Sequence, residues 1–160
     1  VSTALWRGYI ATFEVKDGRL LVMDVEAERF DGEAAGISYK YESVLDKVFP
    51  EGGDMTLDWF TGLLVIPHGK LKSYVHMGYA STYGKYILLE FDKGRLTAEK
   101  KFRSKEYERF KARQFEEFRK TEEYRRMKEE LMAESGASEE FIDMFLRDFV
   151  ISYSSKILTD

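Results

Sequence analysis

Two kinds of hydrophobic pattern divide the chain near residue 102. Before it, short runs of β-branched and aromatic residues alternate with turn residues, a pattern typical of antiparallel strands. After it, large apolar residues recur at helical spacing among charged ones. We expect an α+β protein, an antiparallel β-meander of about six strands followed by two or three C-terminal α-helices. The predicted division is a β domain over 1–102 and a helical segment over 103–160, packed on that domain or on a partner subunit.

The strand runs are separated by short turn signals. Asp17-Gly18 predicts a type I′ hairpin turn, and His68-Gly69 and Lys93-Gly94 are weaker forms of the same signal. The stretch between the second and third strands is predicted to be a loop, with a short helix over 44–48 that ends at Phe49-Pro50. The six predicted strands are WRGYIATFEV, LLVMDVEA, LDWFTGLLVI, LKSYVHMGYA, GKYILLEF and LTAEKKF.

Three phrases with seventeen-residue spacing open the helical part: SKEYERF, TEEYRRM and SEEFIDM. Each starts with a hydroxyl residue and continues with Glu, so Ser104, Thr121 and Ser138 are predicted N-caps. The phase of the apolar residues changes near Thr121, which favours a break there over one helix from 105 to 133. Further stops are expected at Ser135-Gly136 and near Tyr153. The predicted buried faces are Tyr107, Phe110, Phe115 and Phe118 in the first helix, and Tyr124, Met127 and Leu131 in the second.

Composition limits the classes of protein. The 160 residues are 44% hydrophobic and 34% charged, with mean hydropathy −0.42, which fits a folded chain with a real core. The absence of cysteine excludes disulfides, thiol catalysis and cysteine metal sites. The longest apolar run is too short for a membrane span, so we expect a cytoplasmic protein that does not act at a membrane. A start at Val1 suggests that an N-terminal segment has been removed.

Charge is distributed unevenly. The net charge of −4 disfavours nucleic acid as a partner, although Lys100 to Lys128 is strongly basic and carries aromatic residues. The helical spacing of those aromatics favours core packing over base stacking. The acidic stretch from Glu129 to Asp160 also offers the basic segment an internal partner, and we expect no nucleic acid.

Candidate chemistry centres on His76, which lies in YVHMGYASTYGKY among several tyrosines. The segment is either a half-exposed strand or a pocket in which His76 acts as an acid, a base or a hydrogen-bond donor. His76, Tyr83 and Glu90 also occur in an order compatible with ADP-ribose transfer and are the catalytic candidates. No metal-ligand spacing, phosphate loop or nucleophile elbow is present, so no metal or cofactor is expected. The binding candidates are Arg7, Tyr9, Glu14, Trp59, Tyr74, His76 and Tyr79.

Three stretches, STALWRGYIATFEVKDGRLLVMDVE, WFTGLLVIPHGKL and YVHMGYASTYGKY, resemble a family of uncharacterised bacterial proteins. The resemblance covers roughly residues 2 to 96. It implies one compact β domain that follows a short N-terminal segment. No activity can be carried over from it.

These observations favour a small, non-catalytic interaction or ligand-binding protein of an accessory, immunity-like or counter-defence type. The expected partner is another protein or a second copy, bound through the C-terminal helices, and a small-molecule ligand is compatible with this. The alternative is an enzyme or nucleotide-binding protein that uses a tyrosine-rich pocket around His76.

Overall fold

A computed structural model describes residues 8–31, 38–75 and 81–160. Within these ranges the chain forms six strands followed by helices, so the predicted α+β class is confirmed. The sheet is antiparallel with strand order β1-β2-β6-β5-β4, and β3 pairs with β2. The elements are β1 (Tyr9–Lys16), β2 (Arg19–Asp31), β3 (Ser38–Ser43), α1 (Leu45–Val48), β4 (Gly62–Ser73), β5 (Thr82–Asp92), β6 (Arg95–Arg103), α2 (Ser104–Phe118), α3 (Glu122–Ser135), α4 (Glu139–Asp148) and α5 (Val150–Tyr153).

The chain divides into two compact units. Unit 1 contains Val1–Phe60 and Lys93–Arg95, and unit 2 contains Thr61–Asp92 and Leu96–Asp160. Neighbouring strands are consecutive in the chain except β2 and β6, which pair through Arg19 and Arg95 within unit 1.

Unit 1 is organised around the β1–β2 hairpin. Asp17 and Gly18 have φ of 51° and 70°, as a type I′ turn requires, so the predicted turn is confirmed. The short helix is also confirmed as α1. The loop prediction before it was wrong over Ser38–Ser43, which forms β3 because its backbone pairs with β2 over Glu26–Asp31.

Unit 2 begins with a strand that sequence analysis had divided in two. The turn prediction at His68-Gly69 was wrong, since β4 continues from Gly62 to Ser73. Gly69 has φ of 78°, and the pairing register with β5 shifts between His68 and Leu71. The glycine therefore forms a β-bulge within the strand and does not reverse the chain. The signal at Lys93-Gly94, likewise weaker than Asp17-Gly18, does form the predicted turn, between β5 and β6.

The helices of unit 2 start and stop close to their predicted positions. Thr121 accepts a hydrogen bond from the backbone N–H of Tyr124, and Ser138 accepts one from Phe141, so both predicted N-caps are confirmed. The N-cap prediction at Ser104 was wrong, because that residue is already helical. There Glu106 instead accepts a hydrogen bond from the backbone N–H of Arg103.

The core of unit 2 joins β4 and β5 to the helices. The predicted inner face of α2 is fully buried, and Leu63, Tyr86 and Leu88 of the strands belong to the same cluster. Tyr124 of α3 is buried too, with Met127 and Leu131 packed partly against the cluster. No helix in the described ranges is both long and apolar enough to cross a bilayer.

Candidate functional site

A groove lined by tyrosines opens in unit 2 and encloses about 490 Å³. Its floor is the pair Tyr86 and Tyr107, whose rings stack with centroids 4.3 Å apart and planes inclined by 17°. The hydroxyl of Tyr86 accepts a hydrogen bond of 2.8 Å from the backbone N–H of Tyr83, which fixes one wall. We call this the tyrosine groove; its other lining residues include Val65, Pro67, Ser81, Thr82, Glu108, Lys111, Asp148, Phe149, Ile151 and Ser152.

Charge at the tyrosine groove is concentrated on its rim. Burial, with a smaller effect from Glu108, raises the pKa of the Tyr107 hydroxyl, so this residue stays neutral. Lys111 places its ammonium 5.4 Å from the Tyr107 ring centroid and 2.9 Å from a carboxylate oxygen of Glu108. The groove therefore combines an apolar floor with one cation and the carboxylates of Glu108 and Asp148 at its edge.

Of the catalytic candidates, Tyr83 and Glu90 line different grooves of unit 2. Both carboxylate oxygens of Glu90 already accept hydrogen bonds, one from Thr97 at 2.8 Å and one from the backbone N–H of Ile157 at 2.6 Å. His76 lies outside the described residues. Glu90 therefore has a positioning role, since it holds the Thr97 side chain and the backbone of Ile157.

The binding candidates are spread over separate places. Tyr9 and Glu14 are exposed on the edge strand β1, and Trp59 lies in a turn of unit 1 with 76% of its surface exposed. Tyr74 is exposed just after β4. Arg7 and Tyr79 lie outside the described residues, as does the neighbouring Trp6.

Large apolar side chains lie on the outer surface of α4 and at its C-cap, Phe149. Phe141, Met144 and Phe149 are 50%, 52% and 50% exposed, and Phe145 packs on Phe149 with ring centroids 4.9 Å apart. We call these four residues the α4 stripe. Phe149 also lines the tyrosine groove, so the two surfaces are continuous.

A polar cluster joins α3 to α4. Lys128 donates to Asp143 at 2.9 Å and to Glu139 at 2.5 Å, and the Tyr124 hydroxyl donates to Asp143 at 2.5 Å. Burial alone would raise the pKa of Asp143, but these donors lower it overall. Burial likewise opposes charge on Lys128, yet its two carboxylate partners raise its pKa overall. The cluster pairs one cation with two carboxylates and connects the basic and acidic segments, as the charge pattern suggested.

Sequence reasoning missed the residues that hold segment 156–160. Gln114 of α2 has no exposed surface, and its side-chain amide bonds the backbone of both Lys156 and Leu158 at 2.8 Å. A glutamine between aromatic helix positions gives no sequence signal for this role, because the partner lies more than forty residues away. No group of three or more metal-ligating side chains occurs among the described residues.

Comparison of the chain with models of protein families, with curated proteins and with solved structures yields no match.

Proposed function

We propose that the protein is a non-catalytic binding protein and that the tyrosine groove takes a small ligand with a flat apolar body and a polar end. The stacked pair Tyr86 and Tyr107 supports this proposal, since it forms a rigid aromatic floor in a groove of about 490 Å³. Lys111 and Asp148 at the rim supply the groups that would orient a polar end. Because Tyr107 stays protonated, it acts as a contact surface for the ligand rather than as a base.

The test is native mass spectrometry of gently purified protein beside a denatured sample. Ser152→Trp should fill the tyrosine groove and abolish a retained small-molecule adduct. Ser73→Trp, an equally bulky change at the exposed end of β4, should leave that adduct in place. An adduct that survives Ser152→Trp contradicts the assignment of the groove.

The enzyme alternative is tested in the same experiment by His76→Ala. If the adduct is a nucleotide and this variant loses it, the alternative built on His76 becomes the better account. If the variant keeps it, the binding proposal stands without a role for His76.

A second candidate function is self-association through the α4 stripe. The exposure of Phe141, Met144 and Phe149 favours it, because a surface helix with this much exposed aromatic area gains by burial. Glu140 and Arg147 are seven residues apart on α4 and thus on the same side of the helix. In an antiparallel pair about a twofold axis, Glu140 of each copy would face Arg147 of the other, so a second copy fits the surface.

Light scattering during gel filtration, over a tenfold range of protein concentration, tests self-association. Met144→Glu should shift the protein to monomer, whereas Val48→Glu changes a residue with the same 52% exposure on α1 and should not. A wild-type protein that is monomeric throughout the range rules out this candidate.

A further inference from the structure

Segment 156–160 is held in an unusual way. Each of its five residues gives one backbone group to a side chain of unit 2. Among the described residues, the backbone of the segment forms hydrogen bonds with side chains and with no other backbone group, since the last backbone–backbone hydrogen bond here is donated by Ser154 to Val150. These hydrogen bonds therefore recognise main-chain atoms, and they do not depend on the side chains of the segment.

Gln114 is at the centre of this arrangement. Its Nε2 donates to the carbonyl oxygen of Lys156 and its Oε1 accepts from the N–H of Leu158, each at 2.8 Å. One amide side chain therefore satisfies a donor and an acceptor two residues apart, as a neighbouring β-strand would. Because Gln114 is fully buried, its amide requires a partner with this backbone spacing.

Three further side chains add to the contact, one between the two residues bound by Gln114 and two beyond them. Glu90 accepts from the N–H of Ile157 at 2.6 Å. Lys100 donates to the carbonyl of Thr159 at 3.0 Å, and Arg113 donates to the carbonyl of Asp160 at 2.7 Å. The Thr97 hydroxyl donates a hydrogen bond to the other carboxylate oxygen of Glu90, so the Glu90 carboxylate is positioned independently of the segment.

The apolar part of the contact is small. Ile157 and Leu158 are partly buried and pack on the edge of the unit 2 core. A cavity of about 500 Å³ lies beside the segment, lined by Glu90, Ala98, Lys100 and Glu117 together with the segment itself. Segments with few buried apolar contacts open at lower free energy than the core to which they attach.

We propose that Glu90, Lys100, Arg113 and Gln114 form a binding site for an extended peptide backbone, which segment 156–160 occupies within its own chain. The ligand class is an extended peptide with two adjacent aliphatic residues. The same segment of a second copy of this chain supplies that chemistry, so the two copies can exchange segments.

The test uses a fluorescein-labelled peptide of residues 153–160 and fluorescence anisotropy. The acceptor is the full chain carrying Ile157→Pro and Leu158→Pro, which removes both amide donors of the internal segment without changing the site. We expect this variant to bind the peptide at least about tenfold more tightly than wild type, in which the internal segment competes at an effective concentration of roughly millimolar.

Two controls make the result specific to backbone recognition. A peptide N-methylated at the positions of Ile157 and Leu158 keeps every side chain and should lose at least about tenfold in affinity. Gln114→Leu in the double-proline background should cause a similar loss. Equal binding of the plain and methylated peptides, or no binding to the double variant, would overturn the proposal.

Hydrogen exchange of the wild-type chain keeps the proposal testable if the double variant does not fold. The amides of Ile157 and Leu158 should exchange at least about tenfold faster than that of Leu88 in the core. Equal rates would mean that the segment leaves only on global unfolding, which overturns exchange with a second copy. The site shares no lining residue with the tyrosine groove, so Ser152→Trp should leave peptide binding unchanged and the two proposals can fail separately.

Discussion

A β-carbon placed on Gly94 would lie 2.6 Å from the carbonyl oxygen of Leu57 and 2.8 Å from its carbonyl carbon. The backbone is held in this position by hydrogen bonds of 2.8 Å, from Gly94 to Phe60 and from Leu20 to Gly94. Gly18 has nearly the same φ, 70° against 72°, but open space around it. A comparison of the same substitution at Gly94 and at Gly18 therefore separates the cost of steric overlap from that of backbone strain.

We predict that Gly94→Ala lowers the free energy of unfolding more than Gly18→Ala does. The left-handed backbone alone costs about 1–2 kcal/mol in either variant, and overlap with Leu57 should add roughly 1–3 kcal/mol at Gly94. Urea unfolding of both variants beside wild type measures the difference. Equal losses would show that the backbone at Leu57 shifts at little cost.

The buried hydroxyl of Tyr107 predicts a loss of stability at alkaline pH. Its pKa is raised in the folded protein above the unfolded value of about 10. The stability that the neutral Tyr107 hydroxyl contributes is therefore present below about pH 10. It is lost as the pH rises toward the folded pKa, by at most about 1.4 kcal/mol per pH unit.

Tyr107→Phe keeps the stacked ring and removes the ionising group, so stability should fall less steeply between about pH 10 and pH 11.5. Denaturant midpoints across that range measure the slope. Tyr74→Phe, at an exposed position, controls for the loss of one hydroxyl. An unchanged slope in Tyr107→Phe would count against the burial of this hydroxyl.

At the scale of single residues, sequence predicts those roles that local chemistry determines. Asp17-Gly18 forms its turn because the required backbone angles suit these two residues. Gln114 gains its role from backbone atoms more than forty residues away, and helical periodicity contains no information about them.

Among the elements, the three helix-start phrases are not equivalent. Thr121 caps α3 through its side chain and also donates to the carbonyl of Phe118 at 2.7 Å. Ser104 is the first residue of α2, and there Glu106 inside the helix accepts a hydrogen bond from the backbone N–H of the N-cap Arg103. The same sequence phrase therefore places its hydroxyl in two different positions relative to the helix end.

Thr121→Ala should lower the free energy of unfolding by about 1 kcal/mol, whereas Ser104→Ala should change it by less than about 0.5 kcal/mol. Thermal or urea unfolding of the pair measures this. A loss at Ser104 equal to that at Thr121 would refute the distinction between the two helix starts.

The strands show where local signals fail. Gly69 has the left-handed angle of a turn residue, yet β4 continues through it because the paired strand β5 accommodates a bulge. Pairing with β2 likewise forms β3 in a stretch whose composition resembles a loop. Strand pairing is a long-range property, and it accounts for the failed predictions at Gly69 and β3, whereas the prediction at Ser104 missed the helix start by one residue.

For the whole molecule, the two units differ in how much apolar surface each buries. In unit 1 the described buried hydrophobic residues are Leu20, Val22 and Leu57, while unit 2 buries a cluster that extends from β4 and β5 into α2–α5. Because apolar burial is the dominant favourable term in folding, resistance to local opening should differ between the units.

Hydrogen exchange under native conditions should therefore be slower in β5 and α2 than in β1 and β3, by at least about tenfold. Mass spectrometry of peptic fragments measures this. Identical rates in both sets of elements would show that the chain opens only as a whole.

The irregular course of β4 has a consequence for behaviour in concentrated solution. β4 forms an end of the sheet, where an unpaired row of backbone groups can recruit strands from other molecules. Pro67 removes one backbone donor there, and two register shifts after His68 break the flat hydrogen-bonding edge. Lys70 and Lys72 add like charges that repel a second copy in the same register. This edge is a poor template for fibril growth, and a variant that straightened it would gain propensity to form amyloid.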